Sequence, residues 1–132
     1  MTGATAGPGA LVGIGIDSVD IQRFSAVLAR RPTMVERLFT AEEQAWAARV
    51  TNPAPTLAAR FAAKEAVMKA LGVGIGGFAF RDVEVRRHRS GRPELGLSGR
   101  AAALAQERGV GGWQVSLTHT DTLASAVVAA LS

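Results

Sequence analysis

The segment RFAAKEAVMKALG, from Arg60 to Gly72, holds both lysines of the chain, Lys64 and Lys69, and between them Glu65; every other basic side chain is an arginine. On a solvated face lysine and arginine serve about equally. Beside phosphate, a compact ammonium acts as a point charge that a planar guanidinium does not reproduce. Two lysines on one helix, flanking a candidate metal ligand, could neutralise a diphosphate. At roughly 100° per residue, Leu57, Phe61 and Met68 form an apolar stripe, and Glu65 lies only about 40° from Phe61. A carboxylate so near a core must be paired or hold a metal, because an isolated buried charge is costly. Two readings stand for Glu65: an i,i+4 ion pair with Lys69, or a metal ligand.

Asp17 raises the same choice. In LVGIGID, Val12, Ile14 and Ile16 face one side of a strand, and Gly13, Gly15 and Asp17 the other. Two missing side chains let something approach the backbone closely there. Asp17 is either the N-cap of a following helix or, with Glu65, an oxygen ligand for a hard cation. Magnesium takes one or two carboxylates and leaves its other positions to water and phosphate. His119 ends an apolar strand face shared with Trp113, Val115 and Leu117, as a structural histidine or a catalytic one. His88, near a turn, reads as solvated. Gly72, Gly74 and Gly77 match G-x-G-x-x-G in the wrong context, after a helix and before a strand.

These residues need elements to position them. A chain of 132 residues with 48% apolar and 20% charged side chains is one domain with a core, not a disordered segment. No apolar run is long enough to span a bilayer, so no membrane partner is expected. Residues 1–10 read as a flexible tail and 11–132 as the folded domain. A helix is expected from about Ser18 to Arg31, ended by Pro32. A second starts with Thr40 and Glu43 at capping-box spacing, and a third is capped by Thr56 and reaches Leu71. GVGIGG is a loop. FRDVEVRRH and PELGL form a hairpin across RSGR, and Ser98 caps a short helix closed by Gly109. WQVSLTH and LASAVVAAL are strands, the second apolar throughout and therefore central. The order of elements indicates an α+β domain with an antiparallel sheet packed on helices.

The absence of cysteine excludes disulfides and fits the cytoplasm. A net charge of +4 and a pI of about 11.0 suit a polyanionic partner. Nucleic acid is disfavoured by the absence of tyrosine, the few aromatics and the lack of any like-charge block longer than RR. An acidic protein or a phosphorylated small molecule fits the dispersed basicity. A non-catalytic nucleic-acid module remains a rival reading. A nucleotide-binding oxidoreductase built on GIGIDS is a weaker one, since no βαβ repeat follows.

Three segments, GIGIDSVDIQRF (Gly13 to Phe24), RFAAKEAVMKALGVGIG (Arg60 to Gly76) and VSLTHTDTLASAVV (Val115 to Val128), resemble the holo-acyl-carrier-protein synthase family of 4′-phosphopantetheinyl transferases. GRP, at Gly91 to Pro93, resembles the family's GKP turn. The resemblance implies a small α+β subunit that binds coenzyme A and Mg²⁺, usually a homotrimer with sites between subunits. It would transfer the phosphopantetheine arm of coenzyme A to a serine of an acidic acyl carrier protein. It implies Asp17 and Glu65 as metal ligands, Lys69 as the phosphate-facing lysine and His119 as a candidate general base; Glu65 or a metal-bound water could equally take the serine proton. For the coenzyme it implies Arg60, Lys64, Gly72, Gly74, Arg92, Pro93, Ser116, His119 and Thr120. Arg92 stands where many relatives have lysine. For the carrier it implies Arg23. Arg30, seven residues on, shares Arg23's outer face, opposite Ile21, Phe24 and Leu28.

Overall fold

The structure is a computed structural model that describes residues 9–132. Over these described residues it is an α+β domain of five strands and five helices. In order these are β1 (Leu11–Asp20), α1 (Ile21–Arg30), α2 (Met34–Leu38), α3 (Ala41–Ala47), α4 (Ala54–Ala70), β2 (Val83–Arg87), β3 (Pro93–Leu97), α5 (Gly99–Glu107), β4 (Gly112–His119) and β5 (Leu123–Leu131). A short 3₁₀ turn at Phe80–Asp82 precedes β2. β1, β5 and β4 form an antiparallel sheet in that order, and β2 and β3 a separate hairpin. The chain's most apolar strand, β5, is the central one. Of the expected tail, residues 1–8 lie outside the described residues. The Gly9 and Ala10 amides bond to Ser132, and Ala10 accepts from its amide in return, extending the β1 edge.

α4 crosses the inner face of the sheet at unusually short range. A Cβ built on Gly15 would lie 1.9 Å from the Ala66 carbonyl oxygen, and one on Gly13 2.1 Å from that of Ala70. The partner that the bare glycine face admits is the backbone of α4. Alanines on the helix side of the contact keep it equally thin: Ala58, Ala62, Ala63 and Ala66 are fully buried. α4 is covered on nearly all sides, by the sheet, by the hairpin, and by α1 with Phe24 stacked on Phe61 and Phe61 on Phe80. The stripe read from its large side chains is therefore too narrow. The alanines between them are core as well, and anything polar placed there must be satisfied inside the protein.

Several boundaries differ from expectation. β1 runs on to Asp20, held by the Ser18–Ser125 hydroxyl bond and by the Ile21 amide on the Thr122 carbonyl. The cap of α1 is therefore Asp20, whose Oδ1 accepts from the Arg23 amide at 2.8 Å, and Asp17 is left free of that duty. α4 starts before Thr56, at Ala54, with Pro55 in the first turn, where a missing N–H costs nothing. Ser98 occupies the cap position of α5 but makes no side-chain capping bond. Asp82 Oδ2 accepts from the Arg100 and Ala101 amides instead. The capping box of Thr40 and Glu43 is present on α3.

Candidate active site

α4 and β1 bring Asp17, Glu65 and Lys69 together. Lys69 Nζ donates to Asp17 Oδ1 at 3.0 Å and to the Ile16 carbonyl at 2.9 Å. The i,i+4 pairing with Glu65 is thus not the one formed; the lysine reaches across to the strand. Burial, reinforced by the adjoining Asp17 carboxylate and opposed by Lys69, raises the Glu65 carboxyl to about 7. Among the described residues, buried Asp17 Oδ2 has no hydrogen-bond donor while Glu65 is ionised; a protonated Glu65 would share its proton with Asp17. Two carboxylates held side by side, one with an orphaned oxygen, have the chemistry of a hard-cation site. Among the described residues no cluster of three or more His, Cys, Asp or Glu could hold a metal. A cation here would therefore keep positions open for water and phosphate, the habit of magnesium.

On the opposite edge of the sheet lies a cleft of about 410 Å³, lined by Arg60, Arg86, Arg87, Arg92, Pro93, Ser116 and His119 among others. That is within the roughly 300–1,000 Å³ usual for small-molecule sites. Four arginines converge there from α4, from β2 and from the turn of the hairpin, whose tip is closed by the Gly91 amide on the His88 carbonyl. Five of the expected coenzyme-binding residues (Arg60, Arg92, Pro93, Ser116 and His119) share this wall. Arg86 and Arg87 were not foreseen. Their signal was RRH at the end of a strand whose hairpin returns through Arg92.

The other expected residues are dispersed. Thr120 follows His119, exposed, with its hydroxyl accepting from the Thr122 and Leu123 amides. Gly72 lines a separate hollow beside Lys69, and Gly74 is an exposed turn residue. Arg23 and Arg30 are exposed on α1, as their spacing indicated. Lys64 is the correction. Its side chain is fully buried, and its ammonium donates to Glu43 Oε1 at 2.7 Å and to the carbonyls of Phe80 and Val83. All three of its donors are satisfied inside the core, so it does not reach a bound phosphate. Burial holds it below the usual lysine range while Glu43 works the other way.

Residues 13–128 match the model of the 4′-phosphopantetheinyl transferase superfamily. The chain belongs to that superfamily. The holo-[acyl-carrier-protein] synthase of Streptomyces griseus is 48% identical over 120 residues, spanning 91% of this chain and 98% of that one. Among solved structures, the holo-[acyl-carrier-protein] synthase of Neisseria meningitidis superposes with a TM-score of 0.84 at 30% identity, covering 91% of this chain and 98% of the other. That of Bacillus anthracis, in complex with CoA (3′,5′-ADP), gives 0.78 at 33% identity, covering 92% and 97%. This phosphopantetheinyl transferase therefore keeps the family's fold over nearly its whole described length. The separation of its carboxylate pair from its arginine cleft is a property of the single chain. Asp17 pairs with Ala126 and Ala126 with Leu117, so the edge strands stand two strand spacings apart, about 10 Å.

Proposed function

We propose that the protein transfers the 4′-phosphopantetheine arm of coenzyme A to a serine hydroxyl of an apo acyl carrier protein, releasing adenosine 3′,5′-bisphosphate, in a Mg²⁺-dependent reaction. The observation that carries this reading is the Asp17–Glu65 pair, with an orphaned oxygen and a lysine beside it. The bond formed joins the serine oxygen to the phosphorus bearing pantetheine; the bond broken joins that phosphorus to the oxygen bridging the diphosphate. Asp17 and Glu65 would hold Mg²⁺, which when bound supplies positive charge to the diphosphate oxygens. Lys69 adds a fixed charge from the neighbouring turn of α4 and steadies Asp17 in its rotamer. Arg60, Arg86, Arg87 and Arg92 suit the nucleotide's phosphates, because guanidinium groups bind phosphate in bidentate fashion. The serine proton passes to a base, for which His119 in the cleft and Glu65 are the candidates, imidazole and carboxylate both being side chains that serve as general bases.

The carboxylates and the cleft lie on opposite edges of one sheet, which supports a site completed between subunits. The outer sheet face supports self-association too: Val12, Ile14, Ile16, Leu123 and Val127 are 41%, 62%, 64%, 43% and 37% exposed. Ile16 stands directly opposite Val127 in register. An apolar strand face of this kind marks an interaction surface. We propose a homotrimer in which the β1 edge of one subunit meets the β4 edge of the next. No helix among the described residues is long and apolar enough to cross a membrane, and we place the reaction in the cytoplasm.

The deciding experiment is incubation with apo acyl carrier protein, coenzyme A and Mg²⁺, followed by intact mass. The carrier should gain one phosphopantetheine, and chelation of the metal should stop the gain. Salt-dependent nucleic-acid binding with no change in carrier mass would support the rival binding module instead.

A further inference from the structure

Trp46, on α3, does not line the cleft. It lines the adjoining hollow, which shares Arg60, Val85, Arg86 and Arg87 with the cleft. The Arg60 guanidinium carbon lies 4.5 Å from the centre of the indole ring and that of Arg87 5.4 Å. Both are within the roughly 6 Å at which a cation is drawn to an aromatic face. Arg60 is 4% exposed, yet among the described residues its guanidinium makes no hydrogen bond and no ion pair. Its stem is buried, but the unengaged guanidinium N–H groups are not sealed from solvent; on the wall of a cleft they are poised for an anionic ligand. Arg87 is fixed at a second point, donating from Nη1 to the Gly91 carbonyl of the hairpin turn at 3.2 Å. A guanidinium set over a ring keeps its in-plane donors free at its edge, where phosphate oxygens bind two at a time.

We propose that Trp46 is the positioning residue of the cleft: its indole carries the guanidinium groups of Arg60 and Arg87 and presents both to the phosphate groups of coenzyme A. The inference rests on the transferase reading above and adds a residue that touches neither substrate nor metal. It assigns α3 a functional task besides packing. The capping box that begins α3 also contains Glu43, the partner of Lys64 on α4. The α3 helix that carries the indole is thus locked to the helix that carries Arg60.

The test compares Trp46→Leu, which keeps apolar bulk without a ring face, with Trp46→Phe, which keeps a smaller face. Trp46→Leu should raise the KM for coenzyme A on the order of tenfold, with kcat nearly unchanged. It should weaken adenosine 3′,5′-bisphosphate by the same factor in calorimetry without carrier protein or metal. Trp46→Phe should recover most of the loss. Unchanged binding in folded Trp46→Leu, or Trp46→Phe as weak as Trp46→Leu, overturns the inference while a wild type that still modifies carrier leaves the transferase reading intact. A wild type that neither binds the bisphosphate nor modifies carrier overturns both. Should Trp46→Leu not fold, Trp113→Phe leaves Trp46 as the sole tryptophan. Its fluorescence must then shift as the bisphosphate is titrated, and a silent indole under calorimetric binding also overturns the inference.

Discussion

Lys64 and Lys69 leave the same helix about one and a half turns apart, and each meets a carboxylate from a distant element. Lys64 meets Glu43 with both side chains fully buried; Lys69 meets Asp17 with the side chains 56% and 15% exposed. Around Lys64 every polar atom is answered. Glu43 Oε1 accepts from Lys64 and from the Thr40 amide, and Oε2 from the Val85 amide. Around Lys69 the accounting does not close, since among the described residues Asp17 Oδ2 has no donor unless the adjoining Glu65 takes up a proton. A closed polar network fixes architecture. An open one, where among the described residues every other buried side-chain polar atom is satisfied, is where a ligand can bind. The two lysines of one motif thus divide between a closed network in the core and an open one at the surface.

The strongest way to break that division is to neutralise the open side. Asp17→Asn and Glu65→Gln should each lower transfer by roughly a hundredfold or more, read as the rate of carrier mass gain. Their melting temperatures should stay at or above wild type, because each change relieves the crowding of two carboxylates. Activity near wild type in either variant, with Mg²⁺ still required, would remove that residue from the site.

Lys64→Ala should do the reverse. Removing one partner of a buried pair strands the other, a loss of about 3–5 kcal/mol, measured by denaturant unfolding. Lys64→Met should cost less when combined with Glu43→Gln, since the pair is then removed together. The fraction that remains folded should bind coenzyme A like wild type. A selective loss of coenzyme binding in a fully stable Lys64 variant would return Lys64 to the site.

Much of the fold was legible because its signals are local. Glycines alternating with Val12, Ile14 and Ile16, the Thr40–Glu43 capping box, the RSGR turn and the unbroken apolar run of β5 each encode one element. Asp17, Glu65 and Lys69 were legible as a group through the family resemblance; taken singly, Asp17 reads equally as an N-cap and Glu65 as the i,i+4 partner of Lys69. Lys64 was misread for a reason that is not local. Alanine carries little weight in a search for an apolar stripe, and it is alanine that makes α4 buried all round. Arg87, Trp46 and Asp82 act on residues brought near them only by the fold, so their roles first become visible in three dimensions.

Lys69→Ala is the intermediate case. The ion pair is half in water, so its loss should change stability by no more than about 1 kcal/mol. Transfer should nevertheless fall by roughly tenfold or more, as a fixed charge near the diphosphate disappears. Lys69→Arg should restore part of the rate, limited by the larger planar head group. Full activity in both variants would make Lys69 no more than a tether for Asp17.

The smallest effect sharpens the comparison at its outer limit, where charges have no protein partner at all. Arg23 and Arg30 are exposed on α1, and among the described residues neither forms an ion pair. They differ in one respect. Arg30 sits in the last turn of α1, where a cation favours the helix dipole by about 0.3–1 kcal/mol. Arg23 sits in the first turn, where its charge opposes the dipole, so its presence there owes nothing to helix stability. Docking of an acidic carrier beside Asp17, close in sequence on the adjoining strand, would account for it. Arg23→Glu should therefore leave the melting temperature unchanged or slightly raised. It should raise the KM for carrier protein several-fold, on the order of 1 kcal/mol, and leave that for coenzyme A alone. The difference from wild type should shrink as salt screens the contact. Arg30→Glu should lower stability by a few tenths of a kcal/mol through the dipole, whatever it does to the carrier. A carrier KM in Arg23→Glu equal to that of wild type at low salt would leave Arg23 as one more solvated charge.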